Sequence, residues 1–293
     1  MALPLLDHLV EIFAVGSLRR APVIALNGPV GAGKTSLGRA LEHLAPLAGL
    51  RLAVASIDDL YLPWPRRRDV LAGNPFGVGR VPPGSHDVPL LLERLEDWRC
   101  GGPLRLPCFD KTLAGGHGDR SGWRQWQADG LVLEGWLMGC RALGPAGLDA
   151  AMQQLEVEKL HGRSVAAGAP ALTPEELAWL PRWDRELAAY APLWQACDGL
   201  WVLQPERWDL PRRWRLQAEA RQRRGGGGWL PAPEVNRLVR ASLCSLPPAL
   251  YQDPLSRQGS ALTVQGVMKI DGRRRCLAPV GQPSLSSASS EIG

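Results

Sequence analysis

The chain has 293 residues, a net charge of +5, 45% hydrophobic residues and 22% charged residues, proportions that are ordinary for a soluble globular enzyme. Its six cysteines contain no C-x-x-C pair and show neither a disulfide framework nor the spacing of zinc ligands. No stretch approaches the run of 18 or more apolar residues that a membrane span needs. We therefore expect a cytoplasmic protein with no membrane partner.

Two basic runs raise the question of nucleic-acid binding, residues 66–68 and 273–275. No aromatic platform or recognised nucleic-acid-binding module accompanies them. We interpret both as solvated surface charge, and expect no nucleic-acid partner and no obligate protein partner. Residues 1–20 mix apolar and charged positions, which predicts an amphipathic helix packed on the core and not a signal peptide.

A glycine-rich loop, Gly-Pro-Val-Gly-Ala-Gly-Lys-Thr at residues 28–35, is the most informative motif. An apolar run that predicts a buried strand precedes it, and leucines at helical spacing follow it. In that context the backbone N–H groups and the helix N-terminus converge on phosphates. Lys34 would reach the β- and γ-phosphates, and Thr35 would hold Mg²⁺. We predict a nucleoside triphosphate site formed by Gly28, Gly31, Ala32, Gly33, Lys34, Thr35 and Ser36.

Apolar runs at residues 52–57, 131–134 and 200–203 predict further buried strands, and helical patterns lie between them. Alternating strands and helices predict an α/β fold of the P-loop NTPase type. We expect a doubly wound, mainly parallel sheet with helices on both faces. A single domain would cover residues 21–276, and a disordered tail residues 277–293. Residues 141–172 show little pattern.

Acidic residues stand where predicted strands end. A kinase that acts on a hydroxyl needs a carboxylate to accept the hydroxyl proton, and Asp58 and Asp59 are candidates. The alternative for both is a solvated turn or a helix cap. Glu134 is expected on the metal side of the site, directly or through water. Its alternative is a buried carboxylate paired with a lysine or arginine.

An arginine-dense helix is predicted at residues 210–224, followed by four glycines. One or two of its arginines could supply a cation to the transition state. The glycines would let a lid of about residues 206–228 close and exclude water. Between the strands lie two polar segments, residues 80–87 and 109–120. They offer cations for a carboxylate and acceptors for hydroxyls. For His86, in the first of them, a plain turn residue is the alternative.

Five segments that follow the phosphate loop in order resemble the plant and cyanobacterial type of D-glycerate 3-kinase. They also resemble, more broadly, the uridine kinase, pantothenate kinase and phosphoribulokinase group of P-loop kinases. The similarity is collinear from about residue 22 to 251 and is carried by residues 56–62, 83–87, 107–112, 116–120 and 134–136. The chain departs from the pattern at Leu60, where an aromatic residue is expected, and at Cys140, where we expect Phe.

The resemblance implies ATP-dependent phosphorylation of a small-molecule hydroxyl, with D-glycerate as the acceptor and Mg²⁺ held on the side of Thr35 and Glu134. Asp58 stands at the position of the group's presumed general base. Arg212 and Arg213 match its arginine pair at the start of the lid helix, which gives a catalytic set of Lys34, Asp58, Arg212 and Arg213. Lys111 and Arg120 are expected to meet the substrate carboxylate. The predicted acceptor site comprises Asp59, Arg80, His86, Asp87, Asp110, Lys111 and Arg120.

Other nucleotide-binding classes fit less well. A GTPase switch would need an N/T-K-x-D segment to read guanine, and the chain has none. A motor ATPase would need an apolar strand that ends in Asp-Glu, whereas this chain has Glu134-Gly135. A non-catalytic nucleotide-binding protein would be expected to lose the base or the metal-side acid. A sibling kinase that phosphorylates uridine, pantothenate or ribulose 5-phosphate is the nearest alternative.

Overall fold

The computed structural model describes residues 1–14, 20–161, 166–226, 228–257 and 259–277. Its strands are β1 (Val23–Asn27), β2 (Leu52–Ser56), β3 (Leu104–Asp110), β4 (Asp119–Trp126), β5 (Gly130–Gly135), β6 (Gly199–Pro205), β7 (Val264–Ile270) and β8 (Cys276–Leu277). Its α-helices are α1 (Ala2–Ala14), α2 (Lys34–Leu44), α3 (Trp64–Val70), α4 (Val88–Arg99), α5 (Gly144–Leu160), α6 (Pro174–Ala188), α7 (Ala191–Ala196), α8 (Leu210–Arg224), α9 (Ala232–Cys244) and α10 (Pro248–Tyr251).

Six strands form the central sheet in the order β2-β5-β1-β6-β7-β8. Every neighbouring pair is parallel except β7 and β8. All five residues of β1 are buried, since this strand lies between β5 and β6 and is covered on both faces. Burial on both faces explains why the strand is a continuous apolar run without polar alternation.

Alternate residues of β1 pack into two separate hydrophobic cores. Val23 and Ala25 lie in the core that contains residues of α4, α6 and α7. Ile24 and Leu26 lie in the core that contains residues of α1, α2 and α8. The predicted doubly wound α/β fold with helices on both faces is therefore confirmed. The N-terminal helix packs on the second core through buried leucines, Leu5 and Leu9.

Several elements differ from the expectation. Strands β3 and β4 form a separate antiparallel ribbon. The sequence does not predict β4, because most of its side chains are exposed and it lacks an apolar run. Helix α5 occupies much of the region without pattern, and its apolar residues do not gather on one stripe. The helical pattern of residues 174–194 is divided into two helices, α6 and α7. The predicted disordered tail lies outside the described residues, except that Leu277 ends β8.

Helix α6 begins as its sequence indicates. Thr173 accepts a hydrogen bond from the Glu176 N–H at 3.2 Å, and the Glu176 carboxylate accepts one from the Thr173 N–H at 2.8 Å. This reciprocal pair satisfies N–H groups that the first turn of a helix leaves unbonded. Across the described ranges, no helix combines the length and the apolar character needed to cross a bilayer.

Candidate active site

The phosphate loop joins β1 to α2 and depends on two left-handed glycines. Gly31 has φ 79° and Gly33 has φ 100°, values that side chains disfavour. Gly31 is constrained a second time, because a Cβ there would lie 2.8 Å from Trp214 Cβ on α8. The loop and the start of α8 are therefore in close contact. Helix α2 begins at Lys34, so its first N–H groups face the loop.

Glu134 lies opposite Leu26 at the C-terminal ends of β5 and β1. Its carboxylate accepts a hydrogen bond from Thr35 Oγ1 at 3.2 Å and lies 3.7 Å from Lys34 Nζ. Burial raises the pKa of Glu134, and the nearby Lys34 ammonium opposes that rise. Glu134 thus pairs with a lysine and also stands beside the Thr35 hydroxyl, and its role as a metal-side ligand stays a prediction.

The Thr35 and Glu134 oxygens are hard donors of the type that Mg²⁺ prefers. Among the described residues, no group of three or more His, Cys, Asp or Glu side chains could hold a metal. A site of two protein oxygens suits Mg²⁺, because this ion commonly takes few protein ligands and completes its shell with water and substrate phosphates. The residues present therefore fit the metal that the motif implies.

Asp58 stands just beyond β2, in a short 3₁₀ turn that Ser56 caps. Its Oδ1 accepts a hydrogen bond from the Tyr61 hydroxyl at 3.0 Å, and the side chain is 41% exposed toward the site. Enclosure by protein raises the pKa of Asp58, but His86 and the positive charges of Lys111 and Lys34 outweigh that effect. The net pKa lies well below the usual range, so Asp58 is ionised at neutral pH.

Asp59 points to a different environment. Its Oδ1 accepts a hydrogen bond from the Phe109 N–H at 3.3 Å, on β3. Burial raises its pKa to about 6, and the neighbouring charge of Asp58 contributes to the rise. Two adjacent carboxyl groups thus have pKa values pushed in opposite directions, which separates a permanently ionised group from one that can hold a proton.

Two adjoining cavities open beside Asp58. The smaller has a volume of about 150 Å³ and lies over the phosphate loop, and its wall includes Lys34, Thr35, Asp58, Tyr61, Arg80, Lys111, Glu134 and Arg215. The larger has a volume of about 360 Å³ and extends past Asp59 and Phe109 toward Arg39 and Arg124. Asp58, Lys111, Thr35 and Glu134 border both cavities. The predicted base therefore stands where the two cavities meet.

The predicted acceptor-site residues divide into two groups. Arg80 lines the smaller cavity, Asp59 lines the larger one, and Lys111 lines both. Arg120 instead pairs with Asp87 at 2.7 Å and donates to the Tyr61 carbonyl at 3.2 Å. Asp110 accepts hydrogen bonds from Thr112 within its own turn.

His86 has a side chain with 0% exposure and lies behind Asp58. Its side chain is therefore shielded from the cavities, because neighbouring residues cover it on every side. The structure thus places Arg120, Asp87, Asp110 and His86 in supporting positions, and their contact with an acceptor stays a prediction.

Helix α8, the predicted lid, presents a different arginine to the cavity from the predicted pair. Arg212 is exposed and donates to Asn236 on α9 at 2.8 Å, and Arg213 is also exposed. Arg215 lines the smaller cavity and forms an ion pair with Glu219 one turn further along α8. The geometry favours Arg215 as the helix cation nearest the phosphate loop. Arg215 also lies directly against the loop, since a Cβ at Gly31 would lie 3.0 Å from the Arg215 backbone nitrogen.

The interpretation of the two basic runs as solvated charge is wrong for one residue of each. Arg67 is fully buried and donates to four backbone carbonyls, of Leu62, Gly79, His117 and Gly118. Arg274 donates from Nε to the Gly31 carbonyl at 2.7 Å and from Nη2 to the Trp214 carbonyl at 3.1 Å. Sequence offers no signal for these contacts, because the partners are backbone carbonyl groups and most of them lie in distant segments.

Comparisons with known proteins show what the chain is similar to. No family model matches the chain. It is 27% identical over 208 residues to the "uncharacterized kinase mug58" of Schizosaccharomyces pombe, a match that covers 67% of this chain and 69% of that protein. It is 29% identical over 230 residues to the chloroplastic D-glycerate 3-kinase of Arabidopsis thaliana, across 74% of this chain and 45% of that protein.

A solved structure of D-glycerate 3-kinase from Cryptococcus neoformans superposes with a TM-score of 0.72 at 25% identity, covering 89% of this chain and 90% of that one. The chain is similar to D-glycerate 3-kinases. The resemblance predicted from the sequence and the fold of P-loop kinases are confirmed. Both curated relatives are named kinases, which supports the prediction of an ATP-dependent small-molecule kinase. The plant relative is named chloroplastic, so a cytoplasmic location stays a prediction.

Proposed function

We propose that this protein transfers the γ-phosphoryl group of ATP to a hydroxyl of D-glycerate, giving ADP and a phosphoglycerate, with the 3-hydroxyl as the acceptor. The hydroxyl oxygen forms the new bond to phosphorus as the bond to the β-phosphate oxygen breaks. Asp58 accepts the hydroxyl proton. The kinase relatives and the collinear motifs support the reaction class, and the similarity to D-glycerate 3-kinases supports the acceptor.

The observation that carries the proposal is the position of Asp58. Tyr61 and His86 face its Oδ1, and within the described chain no hydrogen-bond donor contacts its Oδ2. The carboxylate therefore keeps one free oxygen on the side of the cavities, where an acceptor hydroxyl can reach it. Its lowered pKa keeps it ionised at neutral pH, so both of its oxygens are hydrogen-bond acceptors.

Cations surround the same cavity. Lys34 and Arg215 stand on the side of the phosphate loop, where charge develops on the transferred group. Mg²⁺ held by Thr35 and Glu134 would neutralise phosphate charge. Arg80 and Lys111 stand on the acceptor side and suit the carboxylate of glycerate. Arg80 already donates to the carbonyls of Gly116 and His117 at 3.1 Å, which fixes its guanidinium in place.

Cavity size favours a small acceptor. The 150 Å³ space over the phosphate loop is well below the roughly 300–1,000 Å³ of pockets that hold drug-sized ligands. The adjoining 360 Å³ cavity is the feature that would suit a larger acceptor, such as uridine, pantothenate or ribulose 5-phosphate. We give the smaller cavity more weight because it brings Asp58, Lys34 and Arg215 together.

The test is ADP release by the purified protein with Mg-ATP and one acceptor at a time: D-glycerate, L-glycerate, uridine, pantothenate or ribulose 5-phosphate. We expect turnover with D-glycerate alone, and phosphorus NMR of the product identifies the hydroxyl. Turnover with another acceptor would contradict D-glycerate as the substrate but would leave the proposed kinase activity in place. ATP binding without turnover on any acceptor would contradict the proposed function.

The Asp58→Asn variant tests the base. It should bind ATP as tightly as the wild type, because the phosphate loop is unchanged, and lose about 10²- to 10⁴-fold in kcat. Isothermal titration gives the ATP affinity, and the ADP-release assay gives kcat. Wild-type turnover by Asp58→Asn would remove the base role from this residue.

A further inference from the structure

The His86 side chain is held on three sides. Its ring stacks on Tyr61, with centroids 4.5 Å apart and planes 17° from parallel. Its Nδ1 lies 2.7 Å from the Tyr190 hydroxyl. Its Nε2 is buried, points toward Asp58 Oδ1 at 3.8 Å and has no hydrogen-bond partner. A buried nitrogen without a partner beside the candidate base calls for an explanation, since burying an unsatisfied polar atom is costly.

Tyr190 determines which ring nitrogen carries the proton. Its hydroxyl accepts a hydrogen bond from the Gly84 N–H at 3.2 Å, and His86 Nδ1 is its other partner among the described residues. Tyr190 is 1% exposed, so its own proton needs an acceptor inside the protein. Donation to Nδ1 satisfies that need and leaves the ring proton on Nε2. The Nε2–H group then points at Asp58.

Both donors around Asp58 therefore face the same oxygen. The Tyr61 hydroxyl donates to Oδ1 at 3.0 Å, and the His86 Nε2–H faces Oδ1 from the buried side. A shift of the carboxylate by roughly 1 Å brings Nε2 and Oδ1 to hydrogen-bond distance. Burial lowers the pKa of His86 and outweighs the opposing effect of the Asp58 carboxylate, so the ring is a neutral donor at physiological pH.

We infer that His86 is a positioning residue for Asp58: the Tyr190–His86 pair holds Oδ1 from behind and turns Oδ2 toward the acceptor hydroxyl. The inference rests on the proposed role of Asp58 as the base. It gives His86 a different role from the acceptor contact expected from the sequence. Misplacement of a reacting group by about 1 Å can lower the rate on the order of 100-fold. A partner that fixes the Asp58 carboxylate would therefore increase kcat.

Two isosteric substitutions separate this role from packing. In His86→Gln, the amide nitrogen can occupy the place of Nε2, whereas in His86→Asn it reaches only the place of Nδ1. We expect His86→Gln to keep kcat within about 3-fold and His86→Asn to lose about 10- to 100-fold, with KM for ATP and for the acceptor nearly unchanged in both. Exposed His161, at the end of α5, provides the control substitution His161→Asn.

Equal kcat values in the Gln and Asn variants, with wild-type melting temperatures, would overturn the inference. So would a raised KM for the acceptor with kcat unchanged, because that pattern means direct substrate contact. If the wild type does not phosphorylate D-glycerate, the proposed acceptor fails, and the comparison is made with whichever acceptor is turned over.

A second measurement does not depend on turnover. Long-range ¹H–¹⁵N NMR of the wild type shows which nitrogen of each neutral histidine carries the proton. The chain has five histidines, and the spectrum of His86→Gln identifies the His86 signals, with selective ¹⁵N-histidine labelling and titration as a second route. We expect the proton on Nε2, and its loss to a mixed tautomer in Tyr190→Phe. A proton on Nδ1 in the wild type would overturn the inference.

Discussion

The Nε atom of Arg274 donates to the carbonyl oxygen of Gly31 at 2.7 Å, so the turn between β7 and β8 fixes the phosphate loop. The same guanidinium donates to the Trp214 carbonyl and lies over the Trp214 ring, 5.4 Å from its centroid. One side chain thus ties together the loop, the start of α8 and a turn 243 residues away along the chain. The nucleotide site therefore depends on a residue outside every motif that predicts it.

Removing this tie should weaken nucleotide binding. We expect Arg274→Ala to raise KM for ATP about 3- to 10-fold, because a hydrogen bond from a charged group contributes roughly 1.5–3 kcal/mol and the loop keeps its other contacts. Steady-state kinetics at varied ATP checks this. Arg273→Ala, on the exposed neighbour, should behave as the wild type. Equal KM values in the two variants would show that the loop holds its shape without Arg274.

Alanine substitutions at the arginines of α8 should differ sharply in their effect on kcat. Arg215→Ala removes the helix cation that lines the smaller cavity and should lower kcat by about 100-fold or more, in the manner of arginine fingers. Arg212→Ala loses an exposed contact with Asn236 and should stay within about 2-fold. The matched pair is compared at saturating ATP and acceptor. The reverse ranking would support the arginine pair predicted from the sequence.

Substitution of Glu134 should change the Mg²⁺ requirement more than it changes nucleotide binding. Glu134→Gln keeps an oxygen for Thr35 but loses the negative charge near Lys34. We expect the Mg²⁺ concentration for half-maximal activity to rise about 10-fold, because a neutral amide is a weaker ligand than a carboxylate. Titration of Mg²⁺ at fixed ATP measures this. An unchanged Mg²⁺ requirement would assign Glu134 only to its ion pair.

Asp59 should make stability depend on pH. Its pKa is about 6 in the folded protein, above its ordinary value, so the folded state binds this proton more tightly than the unfolded state. The resulting stability is complete below about pH 4 and is lost as pH rises through 6. Asn stays neutral and can still accept from Phe109, so Asp59→Asn should raise Tm relative to the wild type by about 2 °C more at pH 7 than at pH 4.

Exposed Asp69 on α3 supplies the control for this comparison. Asp69→Asn should change Tm equally at the two pH values. A Tm difference for Asp59→Asn that does not vary with pH would place the pKa of Asp59 near that of an ordinary carboxyl group.

The phosphate-binding side of the site could be predicted from sequence because its geometry is local. Strand β1, the glycine loop and Lys34 are consecutive, and Glu134 ends an apolar strand that pairs with β1. The acceptor side could not be predicted in the same way. Arg80 and His86 look equivalent in sequence, yet only Arg80 reaches the cavity, because burial is decided by packing against remote elements.

The contact between Gly31 and Trp214 has a consequence for how the site works. It holds the base of α8 in place together with Arg274, so a swing of the whole helix would pull the phosphate loop with it. Any hinge must therefore lie beyond Arg215. The Arg215 guanidinium is therefore ordered when the chain folds. The entropy cost of fixing it is not incurred again in each catalytic cycle.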